Sequence, residues 1–144
     1  MRDSLKKVER KMSLSPKETK DFGRRLSSGL GKGDLVALIG PLGSGKTCLT
    51  QGICEGLGVK EIVTSPSFVI INQYPGRLWV YHFDLYRLKD KKELLDLGYE
   101  EFFYGEGVCI IEWADKIRGH LPERRIEIVL KIVSDRKRAI EVRR

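Results

Sequence analysis

The sequence predicts an α/β fold, a three-layer sandwich in which helices cover both faces of a mixed, partly antiparallel central sheet. Apolar runs of strand length alternate along the chain with segments of helical periodicity. One such run leads through a glycine-rich turn directly into a helical segment, between residues 34 and 58. Two further pairs of runs are joined by short turns, which predicts two antiparallel hairpins in the sheet.

The first helix is predicted to begin at Ser15, which can cap it, with Pro16 in the first turn and Glu18 completing a capping box. Its apolar residues follow at helical spacing and end at a glycine: Phe22, Leu26, Leu30 and Gly31. The segment DLVALIG, at residues 34–40, is an apolar run expected of a buried central strand. The next helix begins at Lys46 and has one apolar face before a terminal glycine: Leu49, Ile53, Leu57 and Gly58.

Beyond residue 66 the sequence predicts two hairpins, a broken helix and a further strand. SFVIINQYP and RLWVYHFDLYRL flank the turn Pro75-Gly76, and RRIEIVLKIV and RKRAIEV flank Ser134-Asp135. Between the hairpins, DKKELLDLGYEEFF predicts a helix broken at Gly98. GVCIIEW then predicts another buried strand, and this strand ends in a carboxylate.

The size and composition of the chain are typical of one compact domain. It has 144 residues, of which 41% are hydrophobic and 33% are charged. We assign residues 1–12 to a polar N-terminal extension and residues 13–144 to a single domain without an internal repeat or linker. No run approaches the roughly 18 apolar residues of a membrane span, and the charged start lacks the apolar region of a signal peptide. We therefore expect a cytoplasmic protein with no membrane partner.

Cysteine and histidine content argues against a disulfide framework or a zinc site. Cys48, Cys54 and Cys109 are odd in number and lack a CxxC pairing. The two histidines, His82 and His120, lie far apart in the sequence. We expect the three cysteines to behave as small buried hydrophobic residues.

The formal net charge is +7, and the excess positive charge lies at both ends of the chain. The terminal basic residues are Arg2, Lys6, Lys7, Arg10 and Lys11, then Arg136, Lys137, Arg138, Arg143 and Arg144. This charge fits a nucleic-acid partner, because neutralising phosphates drives such binding. It fits solvated tails equally well.

Residues 40–47, GPLGSGKT, match the phosphate-loop pattern GxxxxGK[ST] without a mismatch. Backbone N–H groups from Gly43 to Thr47 must point at one phosphate, and this geometry requires glycine and no intruding side chain. The helix that begins at Lys46 directs its positive N-terminal end at the same anion. Lys46 can reach the β- and γ-phosphates, and the Thr47 hydroxyl can ligate Mg²⁺. The sequence therefore predicts a P-loop NTPase-type fold that binds a nucleoside triphosphate with magnesium.

A phosphate loop of this type requires a carboxylate at a neighbouring strand end to hold the magnesium shell. Two apolar runs end in such a residue, LWVYHFD at Asp84 and VCIIE at Glu112. We assign Asp84 to the magnesium shell and Glu112 to the water or γ-phosphate side, where a glutamate can orient or deprotonate the attacking water. The reverse assignment fits the sequence as well.

The tripeptide Ser65-Pro66-Ser67 lies between the P-loop helix and the next strand, where switch segments of NTPases lie. Ser67 offers a hydroxyl to the metal or the γ-phosphate, although a plain turn explains the tripeptide nearly as well. Guanine specificity is disfavoured, because no [NT]KxD element follows Asn72, the one asparagine of the chain. A stand-alone small-molecule kinase is the alternative to an ATPase, with RGHLPERR as its arginine-bearing lid. A nucleotide-gated binding module is a third hypothesis.

Taken in order, GPLGSGKT, SPSF, YHFDLYRL, LGYEEFF, IIEWADKI and LPE closely resemble the TsaE (YjeE) family, over about residues 14–133. The resemblance implies a bacterial ATPase required for the threonylcarbamoyladenosine modification of tRNA. In that family the protein docks on a heterodimer of TsaD, the transferase, and TsaB. ATP binding supports this assembly and hydrolysis resets it, and the protein does not transfer the threonylcarbamoyl group. Any contact with tRNA is expected to be indirect.

The resemblance also implies roles for individual residues. The implied catalytic residues are Glu112, Asp84 and Lys46, and the implied magnesium ligands are Thr47, Asp84 and Glu112. The implied ATP contacts are Pro41, Leu42, Gly43, Ser44, Gly45, Lys46, Thr47, Cys48, Ser67 and Trp113. Secondary candidates flank Asp84, namely Tyr81, His82 and Arg87. Of these, we expect His82 to be a satisfied structural residue.

Three positions depart from the family pattern. Pro41 replaces a frequently acidic or amide residue, Ser44 replaces a frequent alanine, and Cys48 replaces a frequent second threonine. Pro41 puts any side-chain role at its position in doubt, and Cys48 is expected to weaken a contact to the α-phosphate. None of the three changes removes the core chemistry of the loop.

Overall fold

A computed structural model of the chain describes residues 7–65 and 70–144. Three residues singled out above lie outside these ranges. They are Ser67, expected to contact the nucleotide or metal, and the basic residues Arg2 and Lys6; Pro66 of the same tripeptide as Ser67 lies outside the ranges too.

Within the described residues, seven strands form one mixed sheet. In chain order they are β1 (Val8–Ser13), β2 (Leu35–Ile39), β3 (Ile71–Tyr74), β4 (Val80–Asp84), β5 (Val108–Glu112), β6 (Ile126–Ile132) and β7 (Arg138–Arg143). Across the sheet the order is β1-β7-β6-β2-β5-β4-β3. The four central strands β6, β2, β5 and β4 are parallel, and the outer pairs are antiparallel. The predicted mixed sheet and both predicted hairpins, β3–β4 and β6–β7, are confirmed.

Helices cover both faces of this sheet. They are α1 (Pro16–Ser27), α2 (Lys46–Gly56), α3 (Lys91–Leu97), α4 (Tyr99–Phe103) and a 3₁₀ helix, Ala114–His120. The helices α1 and α2 lie on one face, and α3, α4 and the 3₁₀ helix lie on the other, as the predicted three layers require. None of the helices in residues 7–65 and 70–144 has the length and apolar character needed to cross a membrane.

The central strands are apolar throughout because both of their faces are buried. Even-numbered residues of β2, β4 and β5 face α1 and α2, as Val36, Val80 and Ile110 do. Odd-numbered residues face the other helical layer, as Phe83 and Ile111 do. This alternation also determines which polar side chains at the strand ends face α2.

The strand β1 was not predicted from the sequence. Residues 8–12 were assigned to a polar extension, yet Val8–Ser13 pair antiparallel with β7 at the edge of the sheet. Its side chains are mostly exposed, with Val8 and Met12 at 48% and 45%. Backbone hydrogen bonds to β7 stabilise this edge strand, and they leave little hydrophobic signal in the sequence.

The first helix begins as the capping chemistry predicts. Ser15 is the N-cap, and its hydroxyl oxygen accepts a hydrogen bond from the Glu18 N–H at 3.1 Å. The Glu18 carboxylate in turn accepts from the Leu14 N–H at 2.9 Å rather than from the N-cap residue. The helix ends at Ser27, earlier than the expected stop at Gly31.

The break predicted in the third helical segment is confirmed. Gly98 separates α3 from α4 and has a φ of 73°. This left-handed conformation favours glycine, because a side chain there would be strained.

Glycines allow α1 and α2 to pack closely against each other. A Cβ at Gly52 would overlap the carbonyl oxygen of Lys20, and one at Gly56 would overlap the Ser27 hydroxyl. The position of α2 is therefore determined by backbone contact with α1. This matters for function because the first turn of α2 carries the end of the glycine-rich loop.

We predict that Gly52→Ala destabilises the fold by about 1–3 kcal/mol, because α1 and α2 must move apart to accommodate the methyl group. Alanine is the better helix former by about 1 kcal/mol, so propensity alone predicts the opposite sign. Urea unfolding followed by circular dichroism measures the difference. Gly119→Ala is the matched control, because a Cβ there meets nothing within 4 Å. Equal stability of the two variants would contradict the close-packing argument.

Candidate functional site

The glycine-rich loop lies at the C-terminal ends of the parallel strands. The strand register aligns Leu38 of β2 with Glu112 of β5, and Glu112 with Asp84 of β4. Residues 40–45 then turn from β2 into α2. Open α/β sheets bind ligands at the carboxyl ends of their strands, beside such strand-to-helix turns. A cleft of about 700 Å³ lies there.

Most of the predicted site residues line this cleft. They are Leu42, Gly43, Gly45, Lys46, Thr47, Cys48, Asp84, Glu112 and Trp113. Pro41 and Ser44 do not line it: the Pro41 carbonyl faces the Lys46 ammonium, and the Ser44 hydroxyl is buried without a partner among the described residues. Nine of the residues predicted from the sequence therefore line one cleft.

The backbone of the loop requires glycine at three positions. Gly43 and Gly45 have φ angles of 81° and 104°, in the left-handed region. A Cβ at Gly40 would lie 2.7 Å from both the Leu130 carbonyl oxygen and Ser44 Oγ. The glycines of the loop are thus required by left-handed backbone angles at two positions and by the close approach of neighbouring atoms at the third.

The N-terminus of α2 differs from that of α1 in how it is capped. Its N-cap is Gly45, which has no side chain to accept from the first-turn N–H groups, and no acidic residue lies in the first turn. The helix α1, in contrast, has Ser15 and Glu18 in these roles. The positive end of α2 therefore faces the cleft without a side-chain cap, which is the arrangement that binds anions at helix N-termini.

Lys46 is a buried cation at this end of α2, with 5% of its surface exposed. Its Nζ donates to the Gly40 carbonyl at 2.6 Å and to the Pro41 carbonyl at 2.9 Å. It also lies 3.9 Å from the centroid of the Trp113 ring, within cation–π range. Burial lowers the pKa of the Lys46 ammonium, and the nearby carboxylate of Glu112 opposes this effect.

The Thr47 hydroxyl connects the loop to the end of β5. Its Oγ1 donates to Glu112, at 3.0 Å from Oε1 and 3.3 Å from Oε2. The Ser65 hydroxyl lies 3.0 Å from Thr47 Oγ1. Ser65 is the first residue of the Ser65-Pro66-Ser67 tripeptide; Ser67, which we expected to contact the metal or nucleotide, lies outside the described residues.

His82 holds the other side of the Glu112 carboxylate. Its Nε2 lies 2.6 Å from Glu112 Oε2, and the two residues are 0% and 2% exposed. We expected His82 to be a satisfied structural residue, but its Nδ1 has no partner in the part of the chain that the structure describes. Strand alternation places His82 and Asp84 on the same face of β4, but the sequence gives no sign that Glu112 of β5 is the partner of His82.

Asp84 lies beside Glu112 at the neighbouring strand end. Its Oδ1 accepts a hydrogen bond from the Tyr86 N–H at 3.0 Å, so the residue also shapes the turn that leaves β4. The Lys46 ammonium experiences the charges of Glu112 and Asp84 together. Two carboxylates and one ammonium therefore meet at the mouth of the loop.

Trp113 is in an unusual backbone conformation. Its φ of 61° is the one positive value among the described non-glycine residues. A left-handed conformation costs a residue with a Cβ roughly 1–2 kcal/mol. It turns the chain from β5 into the 3₁₀ helix and directs the indole ring toward Lys46, with the Tyr86 ring 5.1 Å away. Backbone strain of this kind concentrates at functional sites.

Arg138 is a site contact that sequence reasoning missed, because it was counted among the basic C-terminal residues. Its Nε and Nη2 donate to the Gly43 carbonyl at 3.2 Å and 3.1 Å. Its Nη1 donates to the Ser134 carbonyl at 2.7 Å, in the turn of the β6–β7 hairpin. The hairpin therefore supports the glycine-rich loop through one guanidinium group. No local pattern could reveal this contact across 95 positions of sequence.

The donors at the cleft suit magnesium bound together with phosphate. Within residues 7–65 and 70–144, no group of three or more His, Cys, Asp or Glu side chains is arranged to hold a metal ion. Mg²⁺ usually takes one or two carboxylates, several waters and phosphate oxygens rather than a full cage of side chains. The Thr47 hydroxyl and the carboxylates of Glu112 and Asp84 fit that requirement.

Comparison with known proteins assigns the family. The sequence profile described as threonylcarbamoyl adenosine biosynthesis protein TsaE matches residues 13–140. The tRNA threonylcarbamoyladenosine biosynthesis protein TsaE of Bacillus subtilis is 45% identical over 129 residues, which are 89% of this chain and 80% of that protein. The TsaE protein of Treponema pallidum is 41% identical over 131 residues, which are 91% and 97% of the two chains.

A solved structure gives the same result. The crystal structure of Bacillus subtilis YdiB has a TM-score of 0.83 and 38% sequence identity, covering 95% of this chain and 85% of that one. The likeness therefore extends over the whole sheet and its helices rather than over the glycine-rich loop alone. The chain belongs to the TsaE family.

Proposed function

We propose that this protein is the accessory ATPase of tRNA threonylcarbamoyladenosine biosynthesis, and that it acts with the TsaB–TsaD heterodimer. Family membership supports the role in tRNA modification. The observation that carries the ATPase proposal is the hydrogen bond of Thr47 to the buried Glu112 carboxylate, beside the Lys46 ammonium. It joins a phosphate loop, a cation and a candidate base in one cleft.

The loop backbone and the uncapped end of α2 would hold the β-phosphate, as phosphate loops do. Lys46 would exchange its contacts to the Gly40 and Pro41 carbonyls for phosphate oxygens, which are charged and therefore stronger acceptors. Arg138 keeps the Gly43 carbonyl turned toward the β6–β7 hairpin, away from the anion. The loop backbone, the end of α2 and Lys46 would thus bind the triphosphate, and Arg138 would act only by holding the loop in place.

Magnesium would supply charge neutralisation at the β- and γ-phosphate oxygens. We propose Thr47 as its direct ligand, with Glu112 and Asp84 in its hydration shell. Because Glu112 contacts Thr47 and Asp84 contacts the Tyr86 N–H, the geometry favours Glu112 as the carboxylate nearer the metal. This differs from the first assignment made from the sequence, which gave the magnesium shell to Asp84, but it keeps Glu112 on the side of the attacking water.

Hydrolysis requires a water molecule in line with the γ-phosphorus. Its oxygen forms a bond to that phosphorus as the bond to the bridging oxygen breaks, which yields ADP and inorganic phosphate. Glu112 would orient this water and accept its proton. Lys46 and the N-terminus of α2 would stabilise the negative charge that moves to the bridging oxygen.

An accessory role fits the exposure of the cleft. Leu42 and Tyr86 at its rim are 69% and 47% exposed, so the described residues leave this side of the cleft open to water. ATP hydrolysis is slow in an active site that stays open to solvent, because water weakens the electrostatic contacts within the site. We therefore expect slow hydrolysis by the isolated chain and a faster or more productive reaction with TsaB and TsaD. Hydrolysis would reset that complex between rounds of tRNA modification.

The kinase alternative loses the lid that the sequence suggested. Arg124 and Arg125 line a different cleft, near the start of β2. This cleft lies at the N-terminal ends of the parallel strands, whereas the glycine-rich loop lies at their C-terminal ends. Arg125 is also paired with the buried Glu127 at 2.6 Å. These arginines therefore do not lie over the phosphate loop, and a kinase would need other residues for its lid.

We predict that Lys46→Ala raises the dissociation constant for ATP with magnesium by roughly 10- to 100-fold. A hydrogen bond to a charged group contributes about 1.5–3 kcal/mol, and this variant removes the charged donor. Isothermal titration calorimetry measures the change. Lys17→Ala is the control, because Lys17 is an exposed cation on α1. Equal affinity of the Lys46 variant and the wild type would contradict the binding proposal.

We predict that ATP with magnesium protects Cys48 from alkylation. Cys48 lines the cleft and is partly accessible, and burial raises its pKa, so labelling requires mildly alkaline pH. Cys54 and Cys109 serve as internal controls, because burial raises the pKa of each thiol to about 12. Peptide mapping after iodoacetamide treatment reports all three residues. Labelling of Cys48 at the same rate with and without nucleotide would count against ATP in this cleft.

We predict that Glu112→Ala retains ATP binding and slows hydrolysis by about 10²–10⁴-fold, the usual contribution of a general base. Steady-state release of phosphate, with and without TsaB and TsaD, measures this. With tRNA and a threonylcarbamoyl donor present, the variant should support no more than one round of modification per complex. Glu100→Ala, an exposed change on α4, is the matched control. Transfer of the γ-phosphate to an acceptor, with no effect of the partners, would instead support a kinase.

A further inference from the structure

A buried histidine contacts the proposed base directly. His82 lies in β4 and Glu112 ends β5, and their side chains meet across the two strands at 2.6 Å between Nε2 and Oε2. Both side chains face the α2 layer, and their side-chain exposures are 0% and 3%. His82 is one pleat away from Asp84 on the same face of β4, so its ring lies beneath the cleft rather than in it.

The Glu112 carboxylate requires partners because it is removed from water. Burial of a carboxylate is costly unless hydrogen bonds compensate for the lost hydration. Thr47 donates chiefly to Oε1, and His82 faces Oε2. Two partners on different oxygens fix the rotation of the carboxylate plane. Loss of His82 would leave Oε2 with only the 3.3 Å contact to Thr47, and it would allow the group to turn.

Packing alone does not explain a histidine at this position. The layer around it is apolar and includes Val80 and Ile110. The ring's Nδ1 has no partner among the described residues, and a buried polar atom without a partner is destabilising. An apolar side chain would avoid that cost. The contact that compensates for it is the one to Glu112.

We propose that His82 is a positioning residue, which holds Glu112 Oε2 so that the carboxylate presents its other oxygen to Thr47 and to the attacking water. This inference rests on the proposed ATPase function and deepens it. His82 does not reach the cleft surface, so it acts through Glu112 alone. Removal of its donor should therefore change the turnover number and leave nucleotide affinity unchanged.

Three variants at this position test the proposal. His82→Leu removes the donor and keeps an apolar side chain. His82→Gln supplies an amide nitrogen with about the reach of Nε2, and His82→Asn supplies one with the shorter reach of Nδ1. We expect kcat for ATP hydrolysis in the presence of TsaB and TsaD to fall about 10- to 100-fold in His82→Leu and His82→Asn, as for other small misplacements of a catalytic group. His82→Gln should recover most of the rate.

Affinity and stability separate positioning from a structural role. The dissociation constant for ATP with magnesium should stay within about twofold of the wild type in every variant. A residue that only positions the base affects the rate of the reaction and not the binding of the substrate. His120→Leu is the matched control, because His120 packs edge-on against Tyr99 and does not line the cleft. Thermal unfolding of all variants checks that the fold is retained. The comparison of His82→Gln with His82→Asn stands even if His82→Leu does not fold.

A double-mutant cycle provides the decisive readout. If His82 acts through Glu112, then His82→Leu should cause no further loss of rate in a Glu112→Ala background. Additive losses, or parallel losses of affinity and stability without recovery in His82→Gln, would overturn the inference. So would a wild-type kcat in His82→Leu. A wild-type protein that does not hydrolyse ATP with its partners would overturn the proposed function and this inference together.

Discussion

Parallel pairing of β2, β5 and β4 is the constraint on which the candidate site depends. The pairing aligns Leu38, Glu112 and Asp84 in one row, so the glycine-rich loop and two carboxylates leave the sheet at the same edge. Parallel strands require crossover connections, and the helices that provide them cover both faces of the sheet. The buried central strands, the three layers and the cleft are consequences of this one arrangement.

The site at that edge departs from what would be most stable. It buries the cation of Lys46 and the carboxylate of Glu112, and it holds Trp113 in a strained backbone conformation. Each feature is costly by itself, but together they neutralise and orient one another. The close contact of α1 with α2 at Gly52 provides the rigid support that such a site requires. The packed layers beneath the cleft thus stabilise the fold, and the polar groups at the mouth of the cleft are available to bind a ligand.

Membership of the TsaE family and the geometry of the cleft support different parts of the proposed function. Family relationship supplies the biological process, since relatives of similar length are named for tRNA threonylcarbamoyladenosine biosynthesis. Geometry supplies the proposed chemistry, through Thr47, Glu112 and the uncapped end of α2. The open rim of the cleft then connects the two, because it leaves one side of the proposed ATP site for a partner to cover.

The sequence by itself determined the fold class, the central strands, the broken helix at Gly98 and most residues of the cleft. These features are encoded locally, as apolar periodicity and as glycines where the backbone is left-handed or tightly approached. The edge strand β1, the contact of Arg138 with the Gly43 carbonyl and the pairing of His82 with Glu112 were decided only by the tertiary structure. Each joins segments far apart in the chain through hydrogen bonds, and a hydrogen-bonding partner leaves no periodic trace in the sequence around it.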